Sequence, residues 1–476
     1  MNNTNSTNDN DFNLFDILKK DNNNNNKNNI IIDNDKHDFI EYLCENIQNY
    51  VKSNINLLIY PDFDEVMYDE IYQLFELEFQ DFPINKYQYN KYYNNALSTF
   101  YTHIMPRRSY STNNIFKPPD IEKMNAKIEF IKNIPQPEQR TDEWYKFRYK
   151  YLTASSIWKA FISESTRNQL IYSKCQPLDI SKYQRTAINS PLHWGHKYEP
   201  LSVMWYEKYY ITIVTDFGCI PHTKHNFLAA SPDGINTDSN SERFGRMLEI
   251  KNIVNRTING IPKMEYWIQM QLQMETCNLN ECDFLETRFI EYNSYDDFIN
   301  DGTFVRTNED KLKGIMIYFS DDNGNPIYEY APLEMNNIEF EIWENNIMEK
   351  NSHLNWIRNI YWKLDQVSCV LVLRNKTWFK SSLSTLYDLW KIIEKEKVHG
   401  YEHRAPKRKL RGKNVENSIF KKCCIDTSNL TLNNKDVDMN NNEDQSIDSE
   451  NNKKEAMDID NNNNNIIINI VTEINN

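Results

Sequence analysis

The chain has 476 residues, enough for two or three domains and a sizeable core, with 54 basic against 68 acidic residues and a formal net charge of −14. That balance supplies no global positive field of the kind that announces nucleic acid, although much of the excess acid lies after Asn414 and a carboxylate-rich metal site is itself acidic until loaded. Aromatics are abundant (29 Tyr, 23 Phe, 10 Trp) and Gly is scarce at 10, which points to helix-rich globular structure, while the eight cysteines include no CxxC pair, against a zinc ribbon or an iron–sulfur site. The start carries no apolar leader and no apolar run reaches about 18 residues, so no membrane partner is expected, and the protein is expected to be soluble and intracellular.

Residues 1–36 are Asn- and Asp-rich and are expected to be disordered. From His37 a helical stripe begins with Phe39, Ile40, Leu43, Ile47, Tyr50 and Val51, and further helices are predicted over Val66–Phe79 and Tyr87–Ile104. Residues 37–105 thus read as a helical module, open both to a docking or DNA-contacting role and to that of a structural cap. Residues 106–138 read as a linker, with prolines, Ser, Thr and Asn between Pro106 and Pro119.

The main domain is expected over 139–400. Thr141 or Asp142 caps a helix bearing Trp144, Phe147 and Arg148, and a second helix runs over Ser156–Ile162. An amphipathic helix, Tyr198–Tyr210, carries Glu199 in its first turn. Strands at Ile211–Cys219, Asn226–Ala230 and Met247–Val254 follow, then a helix at Tyr266–Cys277 and a strand at Cys282–Glu291. Beyond these, Gly314–Tyr330 reads as a hairpin, and Asn336–Glu349 and Leu383–Glu396 as amphipathic helices. After 400 comes a basic cluster, His403–Lys413, open to three readings: a nuclear localisation signal, a DNA-tracking arm or a solvated charge run. The rest of the tail to 476 is expected to be disordered.

The stretch Leu228–Val254 carries the chemistry. Asp233 stands in a Ser-Pro-Asp-Gly turn, and Glu249 and Lys251, two apart on a strand, share one face while Leu248 and Ile250 share the other. An Asp at the turn and Glu-x-Lys on the strand form the PD-(D/E)xK pattern of metal-dependent nucleases. Two carboxylates about 4 Å apart repel by several kcal/mol even at an effective dielectric of about 20. A divalent cation removes that repulsion, and oxygen ligands suit Mg²⁺. A structural Glu249–Lys251 ion pair is the plainer alternative. His193 and His196 lack a second His or Cys pair at ligand spacing and read as structural or DNA-near.

Four segments together resemble the YqaJ-type viral recombinase family, to which the phage lambda exonuclease belongs. They are Trp144-x-x-x-Arg148 with Thr153-Ala154-Ser155; Trp194-Gly195-x-x-Tyr198-Glu199; Ser231-Pro232-Asp233-Gly234 with Leu248-Glu249-Ile250-Lys251; and Tyr266-x-x-Gln269-x-Gln271. The resemblance covers about 139–292. It implies an α/β, restriction-endonuclease-like αβββαβ core with a mixed central sheet. It also implies metal ligation by Asp233, Glu249 and the Ile250 carbonyl, with Glu199 completing the cluster. Lys251 would orient or deprotonate the attacking water or stabilise the pentacovalent phosphate, Gln269 would hydrogen-bond a metal-bound or nucleophilic water, and Arg148, Ser155 and Ser231 would bind a terminal 5′-phosphate. The default for Gln271 is packing or solvent, and that for Gln273 a helix-surface amide, with a supporting role to the site as its alternative.

The function implied is a Mg²⁺-dependent exonuclease, with Mn²⁺ able to substitute, running 5′ to 3′ on linear double-stranded DNA. It would make 3′ overhangs for recombination or repair of a viral genome, in a host cytoplasm or nucleus. The resemblance further implies a single-strand annealing protein as partner and a ring-shaped homotrimer. The alternatives are a structure-specific, junction resolvase-like endonuclease and a non-cleaving DNA-binding module of the same fold.

Overall fold

The computed structural model describes residues 30–79, 84–113, 119–180, 188 and 190–406, the side chains of 30–36 excepted. The N-terminal tail to residue 29, the acidic tail and the basic run from Lys407 to Lys413 lie outside these residues. Among the described residues no helix is long and apolar enough to cross a membrane.

The chain opens with α1 (Ile30–Ser53), which starts seven residues before the predicted His37, followed by α2 (Phe63–Glu78) and α3 (Lys86–His103). A capping box at Asn85 and Gln88 starts α3, satisfying two otherwise orphaned N–H groups. Strand β1 (Tyr110–Ser111) and helix α4 (Ile121–Asn133) come next, so the stretch expected as a linker carries structure of its own. Asp120 caps α4, and Ile128 and Ile131, three apart, form the buried stripe that the prolines before it obscured.

Then come α5 (Asp142–Tyr149), capped by Thr141, β2 (Leu152–Thr153), the single turn α6 (Ala154–Ile157) and α7 (Glu164–Cys175). Helix α8 (Pro191–Tyr210) starts about two turns earlier than predicted, because Ser190 caps it and Pro191 takes the first helical position, where no N–H is needed. Strands β3 (Val214–Thr215), β4 (Ile220–Pro221), β5 (Leu228–Ala230), β6 (Gly234–Asn236) and β7 (Met247–Asn252) follow, then α9 (Met264–Cys277) and β8 (Glu281–Glu291). The chain continues through α10 (Tyr295–Asn300), β9 (Lys313–Ser320), β10 (Pro326–Tyr330), α11 (Asn337–Lys350), β11 (Asn355–Leu373) and α12 (Lys376–His399).

The large sheet runs β10-β9-β11-β8-β7-β6-β3, with β1 added to β11. It is mixed: β7 and β8 are parallel, joined across α9, and the other pairs are antiparallel. Helix α8, strands β3, β6 and β7, helix α9 and strand β8 form the expected αβββαβ core. Its middle strand is corrected, however. Leu228–Ala230 does not lie in this sheet; it pairs in parallel with β2 and antiparallel with β4 to make a separate three-stranded sheet. All three of its residues are buried, as a short strand enclosed on both faces requires. The core strand is instead β6, three residues that the polar loop after Asp233 had hidden.

The 19-residue β11 was not predicted. Its first half pairs with β9 and its second with β8, and a register shift interrupts each ladder. Alternation along it is broken by those shifts, so the period-2 signal is weak.

The N-terminal helices do not stand apart. Phe39, Leu43, Met67, Tyr89 and Phe100 belong to the same buried apolar cluster as Leu228, Trp267, Phe284 and Trp378. Arg108 seals the join, donating to the carbonyls of Leu58 and Pro262 at 2.9 Å each while lying over the Trp267 ring.

Candidate active site

Strand β7 builds the site. Leu248 and Ile250 pack with Tyr206 and Leu285 on one side, leaving Glu249 and Lys251 on the other, as their spacing dictates. Glu249 is fully buried and forms an ion pair with Lys251. Pairing between β6 and β7 is limited to Gly234 with Leu248 and Ile235 with Met247. One rung further on, the carboxylate of Asp233 takes the place of the missing strand: its Oδ2 accepts from the Ile250 N–H at 2.8 Å. A residue's N–H and C=O leave an extended strand on the same edge, so the Ile250 carbonyl faces Asp233's side. Gly234 is required here for space, since a Cβ would lie 2.2 Å from a Val214 methyl on β3.

Glu199 arrives from α8. Pro200 follows it and lacks the N–H that would bond the His196 carbonyl, which loosens the helix at that turn. Its carboxylate is held by the Arg140 Nη2 at 2.8 Å. Arg140 adopts a left-handed backbone (φ 69°), a conformation unfavourable for a residue with a Cβ. Burial and then the Asp233 charge push both Glu199 and Glu249 up to about 7. Lys251 moves the opposite way to an isolated buried lysine: burial opposes its charge, but Glu249 and Asp233 together raise its pKa. The shifts of Glu199, Glu249 and Lys251 thus all register the Asp233 charge, which ties them into one electrostatic site.

Helix α9 covers this site. Gln269 lines the cleft above Asp233 and Glu199, whereas Gln271 turns away, donating to the Leu373 carbonyl at 3.0 Å and accepting from Asn375 N–H at 2.6 Å. Gln273 corrects the surface-amide expectation. It is wholly buried and donates from Nε2 to Glu249 Oε2 at 2.7 Å and to the Ser231 carbonyl at 3.2 Å. The signal was its position one turn beyond Gln269. Its Oε1 has no hydrogen-bond partner among the described residues.

A cleft of about 510 Å³ joins these groups to the first motif, lined by Arg148, Ser155, Lys159, Lys174, His196, Glu199, Ser231, Asp233 and Gln269. Arg148 donates to Ser155 Oγ at 2.8 Å and lies 4.0 Å over the Trp144 ring. The Ser231 hydroxyl sits beside the Cys219 thiol. His196 is kept neutral, pushed down to about 4 by burial and the Arg140 charge. His193 is buried, 2.7 Å from the Tyr328 hydroxyl, as a structural histidine would be. Arg140, Lys159 and Lys174 were not singled out from the sequence, since no motif spacing marks them.

The donor set suits a hard divalent cation: oxygen donors on Asp233 and Glu249 that raise each other's energy when both are charged. Among the described residues no three His, Cys, Asp or Glu side chains are gathered closely enough to hold a metal ion as they stand. Lys251 and Arg140 supply the neutralising charge instead.

A Glu-x-Lys strand facing an Asp, inside an αβββαβ mixed-sheet core, is the arrangement of restriction-endonuclease-like nucleases. Residues 143–280 match the family model of the YqaJ-like viral recombinase domain, and all four motifs fall within that segment. The chain is 32% identical over 317 residues to an uncharacterized protein of Acanthamoeba polyphaga mimivirus, covering 59% of this chain and 56% of that one. It therefore spans about half the length of this relative. Among solved structures it is similar to an alkaline exonuclease from Laribacter hongkongensis (18% identity, 54% of this chain and 95% of that chain, TM-score 0.32). It is also similar to a phage related exonuclease from Haemophilus somnus (9% identity, 53% and 96%, TM-score 0.28).

Proposed function

We propose that this chain hydrolyses phosphodiester bonds of linear duplex DNA, starting from a 5′-phosphorylated end and leaving 3′ overhangs for recombination or repair of a viral genome. One observation carries the reading. A single cleft is lined by Glu199 and Asp233, the latter electrostatically coupled to the Glu249–Lys251 pair behind the cleft wall, and also by Arg148, Lys159 and Lys174. A scissile phosphate at the carboxylates would leave a terminal phosphate among the cations.

In this reading Asp233, Glu249 and the Ile250 carbonyl hold Mg²⁺, or Mn²⁺ in its place, with Glu199 joining directly or through water. When bound, such an ion supplies Lewis-acid polarisation and an acidified water. Gln273 fixes the Glu249 carboxylate so that it presents one orientation. Lys251, charged and close to the reacting phosphate, stabilises the charge that builds in the transition state. Gln269 orients the attacking water. Arg148, with Ser155 and Ser231, donates to the terminal phosphate, for which its planar fork is well matched. A ring-shaped trimer around the duplex and a single-strand annealing partner complete the proposal.

The deciding experiment incubates the purified full chain with linear and circular duplex DNA, in Mg²⁺ or EDTA, beside Asp233→Ala. Loss of linear DNA alone, in Mg²⁺ alone and only with Asp233 present, is the expected result. Nicked circles would mean an endonuclease of the same fold, and intact DNA throughout a binding protein.

A further inference from the structure

The cleft holds more positive charge than the matched motifs account for. Lys174 stands in the last turn of α7, and its Nζ donates to the Arg148 backbone carbonyl at 3.0 Å, while the Arg148 guanidinium donates to Ser155. Helix α7 packs on α12, where the Cys175 thiol meets the Ile393 carbonyl. Arg148 of α5, Lys397 of α12, whose ammonium lies over the Tyr149 ring, and the Cys219 thiol act on Lys174, and Lys159 lines the same cleft. The nearby Glu396 of α12 is taken up by Arg404. Among the described residues, Lys159, Lys174 and Lys397 form no ion pair with a carboxylate. Arg148 and Lys397 both act on Lys174 by like-charge repulsion, and a cluster of cations lining a cleft is a candidate anion site.

We propose that Lys174 is the second cation of the end-binding chamber and that, together with Arg148, it distinguishes a terminal phosphomonoester from the phosphodiesters of the same backbone. The inference rests on the reading above that a 5′-phosphate end is the substrate. A phosphodiester carries one negative charge, whereas a terminal monoester gains most of a second, its second pKa being about 6. Lys174 responds to that difference. Burial, with Arg148 and Lys397 beside it, pushes it down to about 7, so near neutral pH a large share is uncharged in the free protein. A dianion in the chamber raises the lysine pKa again and draws a proton onto it. Binding of a phosphorylated end is therefore linked to proton uptake above about pH 7, and binding of a hydroxyl end is not.

The test measures affinity, not cleavage. Fluorescence anisotropy in EDTA gives the Kd of the full chain for matched 5′-phosphoryl and 5′-hydroxyl duplexes at pH 6.5, 7.5, 8.5 and 9. The wild type should favour the phosphorylated end, and the Kd ratio should shrink as pH rises above 7, by up to about tenfold per pH unit. Lys174→Arg should keep the preference and hold it flat to pH 9. Lys174→Met should bind both ends alike at every pH, with far-UV circular dichroism confirming that it is folded. If Lys174→Met retains the wild-type ratio and its pH dependence, the role of Lys174 is overturned while the end-binding reading stands. If the wild type shows no preference at any pH while Lys174→Arg behaves identically, the 5′-phosphate reading itself fails and takes this inference with it.

Discussion

The clustered carboxylates make the metal-free protein's stability depend on pH in a direction opposite to that of most paired acids. Glu199 and Glu249 are both raised from the ordinary value to about 7 by burial and by Asp233. A group whose folded pKa lies above its unfolded one binds more protons when folded, so its contribution is fully present below about pH 4.5 and disappears as pH rises through about 7. Each such group contributes a slope of about 1.4 kcal/mol per pH unit across that window. Glu249 is fully buried and should give nearly the whole effect, on the order of 3 kcal/mol between pH 4.5 and 8. Glu199, partly exposed and paired with Arg140, should give less. Replacing Asp233 by Asn keeps an acceptor for the Ile250 N–H and removes the charge that both glutamates feel. Urea unfolding in EDTA at half-unit steps from pH 4.5 to 8.5, wild type minus Asp233→Asn, cancels the tyrosines and histidines common to both. The two should be equally stable near pH 4.5, with the variant pulling ahead as pH rises. Mg²⁺ should close the gap at pH 8 by stabilising the wild type alone. A difference curve that is flat across this range would refute the idea that these three carboxylates share one electrostatic site.

Lys251→Ala should leave DNA affinity nearly unchanged and lower turnover by about 10²–10³-fold, checked by single-turnover digestion. Gln273→Leu should cost about 1.5–3 kcal/mol in urea titration, because a buried carboxylate loses its donor, whereas Gln269→Leu should slow cleavage with little change in stability. Arg148→Ala should reduce the rate preference for 5′-phosphoryl over 5′-hydroxyl ends by roughly 10- to 100-fold in initial digestion rates. Ile211, 83% exposed and left-handed (φ 50°) at the end of α8, should give a protein about 1 kcal/mol more stable when replaced by Gly, read as a rise in melting temperature.

What could be read from the sequence was what local chemistry encodes. The faces of β7 followed from the alternation of Leu248, Glu249, Ile250 and Lys251, and α9 and β8 were placed within two residues of their ends. What could not be read depends on partners distant in the chain. Leu228–Ala230 looks like any buried strand, and only its pairing with Leu152 shows that it belongs to another sheet. Gln273 and Gln271 are both amides on an apolar helix. Whether one meets Glu249 and the other Asn375 is decided by the strand and loop beneath each. Lys174 carries no signal at all, because its chamber is assembled from three helices that no spacing rule connects.

The shared apolar interior of the N-terminal helices and the large sheet has a consequence for how this protein fails. Tyr89 and Trp378 are buried in one continuous cluster, so damage at either end is transmitted as loss of the whole folded unit and not as loss of one lobe. A screen for inactive variants should therefore return substitutions at Phe39, Tyr89 or Phe100, far in sequence from every carboxylate of the cleft. These would be told from true active-site lesions by the missing soluble protein in the cell extract. Temperature sensitivity, rather than altered DNA preference, should be their signature.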